Sequence, residues 1–102
     1  MARNVRCGLI QVHCEWSPEK ASLGDIKEKM IAKHERLIGD AAKKKVQILG
    51  LQELFYGPYF CAEQQNKWFE LTEPVPSGPT LERMQKLAKK YQMVLVVPVY
   101  EV

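Results

Sequence analysis

The chain has 102 residues, 46% of them hydrophobic and 26% charged, with a formal net charge of +3. That profile fits one soluble globular unit and is too weakly basic to argue for a nucleic-acid partner. No apolar run approaches the ~18 residues of a membrane span, and Met1 to Arg6 lacks the apolar core of a secretory signal, so neither a membrane partner nor export is expected and the cytoplasm is the default location.

Three cysteines, an odd number without framework spacing, favour reduced thiols over a disulfide scaffold. The lysines cluster where helices should end. Lys43, Lys44 and Lys45 close one helical segment and Lys89 and Lys90 another, where cations complement the negative end of the helix dipole.

In chain order, Val5 to Val12 is short and aliphatic and runs toward the turn-prone Trp16-Ser-Pro18, which predicts a first strand. From Ser22 to about Lys44, Leu23, Ile26, Met30, Leu37 and Ala41 recur at helical spacing, and Ile31 and Ile38 widen the stripe. Ser22, with Asp25 three residues later, resembles a capping arrangement, and Gly24 weakens the first turn. Val46 to Leu51 is almost continuously apolar, as expected of a parallel strand covered on both faces.

That strand leads into Gln52-Glu53-Leu-Phe-Tyr-Gly-Pro-Tyr-Phe-Cys61, a carboxylate followed by an aromatic, turn-rich loop. Glu73-Pro-Val-Pro-Ser-Gly-Pro79 then suits an extended connector, with Pro79 in the first turn of a second helix. Leu81, Met84, Leu87, Ala88 and Tyr91 supply the buried stripe of that helix. Met93 to Tyr100 is the third strand, and Pro98, unable to donate to the ladder, implies an edge, a bulge or the strand's end.

The order is strand, helix, strand, loop, helix, strand: an α/β unit whose three strands should be parallel neighbours or near neighbours. Their carboxyl ends would share one rim carrying His13, Cys14, Glu53, Tyr100 and Glu101, which is where open parallel sheets place reactive groups. Walls made from Phe55, Tyr56, Tyr59, Phe60 and Trp68 would desolvate Glu53, raise its proton affinity and suit it to moving protons near neutral pH. A solvated glutamate at a strand end is the plainer alternative.

Other chemistries fare worse. Adjacent strand residues point to opposite faces, so His13 and Cys14 are not expected to aim at one substrate atom, and Cys7 should simply pack. Cys7, His13, Cys14, His34 and Cys61 show no paired zinc-type spacing, and His34 should be partly solvated on its helix. Gln11 to Pro18 lacks the glycines of a phosphate-binding loop.

The segment Ile48 to Cys61 resembles the first signature of the nitrilase, or carbon-nitrogen hydrolase, superfamily. Val5 to Val12 is similar to that family's first strand, Ser77-Gly-Pro-Thr80 to its second helix start, and Leu87 to Pro98 to the following helix and strand. The aromatic loop looks most like the β-ureidopropionase and N-carbamoylputrescine amidase branch. The resemblance implies the β-α-β-loop-α-β amino-terminal part of an α-β-β-α sandwich, with residues 1–102 as the amino-terminal portion of a single hydrolase domain. It implies a cysteine hydrolase with a Glu, Lys and Cys triad, no metal and no cofactor, acting on a small N-carbamoyl or amide substrate and forming homo-oligomers.

Glu53 matches the family's catalytic glutamate, the general base toward the thiol, and Tyr56 and Tyr59 are the candidate substrate-binding residues. The matching lysine and cysteine segments would lie beyond Val102, so these 102 residues alone are expected to be inactive. Two other readings stay open. One is a non-catalytic α/β interaction module pairing through an exposed sheet. The other is a small flavodoxin-like ligand binder.

Overall fold

Three short apolar segments pair side by side in the computed structural model, which describes residues 2–102. They are β1 (Cys7–Ile10), β2 (Ile48–Leu51) and β3 (Val94–Val96). The sheet order is β1-β2-β3 and both pairings are parallel, with Cys7 opposite Ile48 and Ile48 opposite Val94. Each strand is shorter than the apolar run that contains it. β3 lies at the sheet edge and ends before Pro98, whose missing N–H is therefore needed by no ladder.

The crossover between β1 and β2 is α1 (Leu23–Lys43), and α2 (Pro79–Tyr91) precedes β3. Ser22 caps α1, its hydroxyl accepting from the Asp25 N–H at 3.1 Å, which offsets the weakness of Gly24. Pro79 occupies the first turn of α2, and Gln92 ends it in a left-handed conformation (φ 50°). Lys43, Lys89 and Lys90 fall in last turns, as their placement in the sequence suggested.

Ile26, Met30, Ile31 and Ile38 of α1 are buried against Ile10, Leu49 and Leu51 of the sheet, each contributing about 1.5–3 kcal/mol by leaving water. Both helices pack on this one face and touch each other. The opposite face is open among the described residues: Leu9 is 88% exposed, and Cys7, Ile48, Val94 and Val96 are exposed beside it. The near-continuous apolar run of β2 thus has cover on one side here, not two, and Cys7 sits on the bare side instead of packing.

Two further expectations change. His34 is fully buried rather than partly solvated: its Nδ1 lies 2.8 Å from the Met30 carbonyl and its ring meets Phe55 edge to face at 5.0 Å. The connector to α2 is not featureless either. A 3-10 helix, Asn66–Leu71, buries Trp68 and Leu71, and Glu73 follows it into the interior at 2% exposure.

The Glu73 carboxylate accepts from the N–H of Thr80 at 2.8 Å and from its hydroxyl, and pairs with Lys27 of α1. Its backbone N–H donates to the Tyr100 carbonyl at 2.8 Å and its carbonyl accepts from Val102 at 3.1 Å. One residue thereby joins α1, the start of α2 and the segment after β3. Burial alone would push the Glu73 carboxyl up, but the Lys27 ammonium and the two Thr80 donors outweigh it and hold the group below its usual range.

Candidate active site

Parallel strands end at one rim, and the loops leaving β1 and β2 there form the two walls of a cleft of about 520 Å³. His13, Cys14 and Trp16 line the first wall, and Glu53, Pro58 and Tyr59 the second. Glu53 is the second residue past β2 and is exposed at the cleft surface. The desolvated niche expected for it is not formed by these residues. The aromatic side chains that should have walled it in serve the core instead: Phe55, Tyr56 and Trp68 are all buried.

Tyr56 departs from its expected role for a clear physical reason. Its hydroxyl donates to the Leu71 carbonyl at 2.7 Å and accepts from the Tyr100 N–H at 3.1 Å, so both of its hydrogen-bonding functions are used inside the fold. Burial pushes its phenol up, and the nearby Glu73 charge acts in the same direction. Lys27 lies 4.5 Å from the centre of its ring. Tyr56 is thus an internal strut of the Glu53 loop and does not line the cleft.

Tyr59 does line it, at 72% exposure. Cys61, by its charge and by hydrogen bonding, and Glu53, by its charge, push the Tyr59 phenol above its ordinary value. The Tyr59 hydroxyl therefore keeps its proton near neutral pH.

The first wall is fixed from α1. The Lys33 ammonium donates to the His13 carbonyl at 3.0 Å and pairs with Glu15, and Lys29 lies 5.6 Å from the centre of the Trp16 ring. His13 and Cys14 both reach the cleft although they are adjacent, because β1 has already ended at Ile10 and strand alternation no longer applies. Cys14 is half-buried against the core, its thiol 3.6 Å from the Trp16 carbonyl.

Tyr100 and Glu101, expected on the same rim, are elsewhere. Tyr100 stacks on Phe60 at 4.8 Å, and Glu101 bridges to Glu73. Among the described residues, no three His, Cys, Asp or Glu side chains gather in a way that could hold a metal ion. No helix among them is long and apolar enough to cross a membrane.

The site's most consequential supports went unnoticed in the sequence: Gln52, Lys33, Lys27 and Glu73. A glutamate opening a proline-rich connector, with threonine seven residues on, was the one available signal for the last of these.

A parallel β-α-β sheet whose strand-end loops meet in a cleft carrying a glutamate defines an α/β protein with its candidate site at the carboxyl rim, and comparison with known proteins gives it a family. The pattern of the carbon-nitrogen hydrolase family matches residues 23–102, and the chain belongs to that family. It is similar to an N-carbamoylputrescine amidase of Oryza sativa subsp. japonica, 40% identical over 77 residues, which is 76% of this chain and 26% of that protein. An Arabidopsis thaliana N-carbamoylputrescine amidase is 42% identical over 70% of the chain and 24% of its own length. A β-ureidopropionase of Arabidopsis thaliana is 37% identical over 97% of the chain and 24% of its own length. The chain thus spans about a quarter of the curated relatives it matches.

Proposed function

We propose that these residues form the amino-terminal portion of a single carbon-nitrogen hydrolase domain that cleaves an N-carbamoyl amine or N-carbamoyl-β-amino acid, with Glu53 as general base. The observation that carries this reading is the delivery of Glu53, by the carboxyl end of β2, to a cleft faced by the loop after β1. The names of the matching amidases and β-ureidopropionase support the substrate class.

Glu53 would take the proton of a thiol supplied from outside these residues, and a lysine, likewise from outside, would stabilise the oxyanion formed when that thiol attacks the carbamoyl carbon. The proton then passes to the departing nitrogen, and water, deprotonated by the same carboxylate, releases the acyl group. Overall, one carbamoyl amine and one water give an amine, carbon dioxide and ammonia. Tyr59, which lines the cleft, would bind the substrate by donating a hydrogen bond to it.

Exposure of Glu53 in these residues is compatible with the role only if further structure closes the cleft, since a base in open water gains nothing from its setting. Free thiols at Cys7, Cys14 and Cys61 suit a reducing compartment such as the cytoplasm. The test is ammonia release from N-carbamoylputrescine and N-carbamoyl-β-alanine by the complete polypeptide carrying these residues, alongside its Glu53→Gln variant. A loss of roughly 10²–10⁴-fold in kcat is expected, and equal rates would remove Glu53 from the mechanism.

A second reading rests on the bare apolar face of the sheet: a non-catalytic module that pairs through that face. Sedimentation of the chain as a monomer that binds no hydrophobic dye would count against it.

A further inference from the structure

Between the two walls of the cleft runs a seam that the backbone does not make. The last paired residues of β1 and β2 are Ile10 and Leu51. Beyond them, the side chain of Gln52 takes over: its Nε2 donates to the Val12 carbonyl at 2.9 Å and its Oε1 accepts from the Val12 N–H. A planar amide offering one donor and one acceptor to the same residue imitates the peptide of a neighbouring strand, so the β1–β2 ladder continues by one step through a side chain. Both Gln52 and Val12 are half-buried, where backbone groups left without a partner are poorly tolerated.

The location of the seam gives it a role. Gln52 immediately precedes Glu53, and Leu54, which follows, adopts a left-handed backbone (φ 54°) and accepts from the Gly57 N–H at 3.2 Å. Glu53 is therefore held between a clamped residue and a tight turn, its main chain fixed while its carboxylate remains free at the surface. On the other wall, Val12 precedes His13, whose carbonyl is itself held by Lys33. This side-chain amide ties the residue before Glu53 to the residue before the His13–Cys14 wall.

We propose that Gln52 is a positioning residue for the hydrolytic reaction, fixing Glu53 against the opposite wall through its paired bonds to Val12. This rests on the reading of Glu53 as general base. The uncharged carboxamide supplies both halves of the seam at every pH in the working range. Leucine of similar size supplies neither. An ionised glutamate keeps the acceptor but sets a negative oxygen against the Val12 carbonyl, and protonation of that glutamate restores a donor.

The experiment uses the complete polypeptide, as wild type, Gln52→Leu and Gln52→Glu, with kcat and KM followed from pH 4 to pH 8, a range that spans the ordinary glutamate titration near about 4.3, and amide hydrogen exchange followed at Val12 and Leu51. Misplacing a catalytic group by about 1 Å costs roughly 10²-fold in rate. Gln52→Leu should lose about that factor in kcat with KM little changed, and Val12 should lose protection while Leu51 keeps it. Gln52→Glu should be similarly slow at pH 8 and recover relative to wild type as the pH falls, a signature that a merely structural residue would not give.

Wild-type kcat in Gln52→Leu, no acid recovery in Gln52→Glu, or an unprotected Val12 amide in the wild type would each overturn the proposal. If the wild type hydrolyses no carbamoyl or amide compound, the hydrolase reading fails and the catalytic role of Gln52 fails with it. Val12 exchange then still reports whether the seam itself exists.

Discussion

Breaking the pair between Lys27 and Glu73 gives the sharpest test of how the Glu53 loop is supported. Glu73→Gln preserves an acceptor for the Thr80 N–H and removes the charge that Lys27 meets. Lys27 retains 18% exposure, so its ammonium can turn to water. That places the cost near ~3 kcal/mol, the low end for removing one partner of a buried pair. Lys27→Met leaves Glu73 charged and buried with only Thr80 to satisfy it, again at about 3 kcal/mol. In the double variant neither charge remains, so it should cost no more than about 3 kcal/mol, leaving a coupling of similar size. Urea unfolding at pH 7, read by the fluorescence of buried Trp68, measures all four proteins. Single costs that add to within about 0.5 kcal/mol would show that the two groups do not act on each other.

Acid provides an independent check. Glu73 is held below its ordinary value of 4.5, so its stabilisation is complete above about that pH and is lost as pH falls through the lower folded-state value. His34 acts at higher pH. Burial drives its proton affinity down, Lys33 assists, and the Met30 carbonyl only partly opposes them. The unfolded ring therefore protonates first, near 6.5, and stability should decline as pH drops below that point toward the folded-state value. His34→Leu should flatten the slope of unfolding free energy between pH 5 and pH 7, and an unchanged slope would show that another group titrates there. At Gly78, a Cβ would stand 2.7 Å from the Pro74 carbonyl oxygen and 2.8 Å from the Glu73 Cβ. Gly78→Ala should lower stability by about 1–3 kcal/mol and displace Glu73. Thermal unfolding equal to the wild type would refute that.

Where the sequence was informative, a local rule matched the tertiary demand. Ser22 capping, Pro79 opening α2 and the lysines closing both helices all follow from the unsatisfied groups at helix ends, which neighbouring residues can reveal. Parallel pairing of the strands followed from element order alone. Strand lengths did not, because apolar character persists through Val12 and Val99 after ladder bonding has stopped.

The site was half legible. Glu53 and Tyr59 reach the cleft, as a strand-end position and a turn-rich loop suggested. The aromatic character of the loop was misleading: Phe55 and Tyr56 belong to the core, and no local pattern separates a ring that faces a ligand from one that faces α1. The bonds from Gln52 to Val12 and from Glu73 to Lys27 join residues about forty apart or more, beyond the reach of any spacing rule.

Leu9 leans over Gly50, where an added Cβ would come within 3.1 Å of its Cδ2, and two residues further along Gln11 already belongs to the edge of the cleft. Any layer laid against that side of the molecule would rest on Leu9 and meet the cleft edge at Gln11. Its height above the strands would govern how wide the entrance stands. A single methyl group at Gly50 would press on Leu9 alone and so act as a shim beneath any such layer.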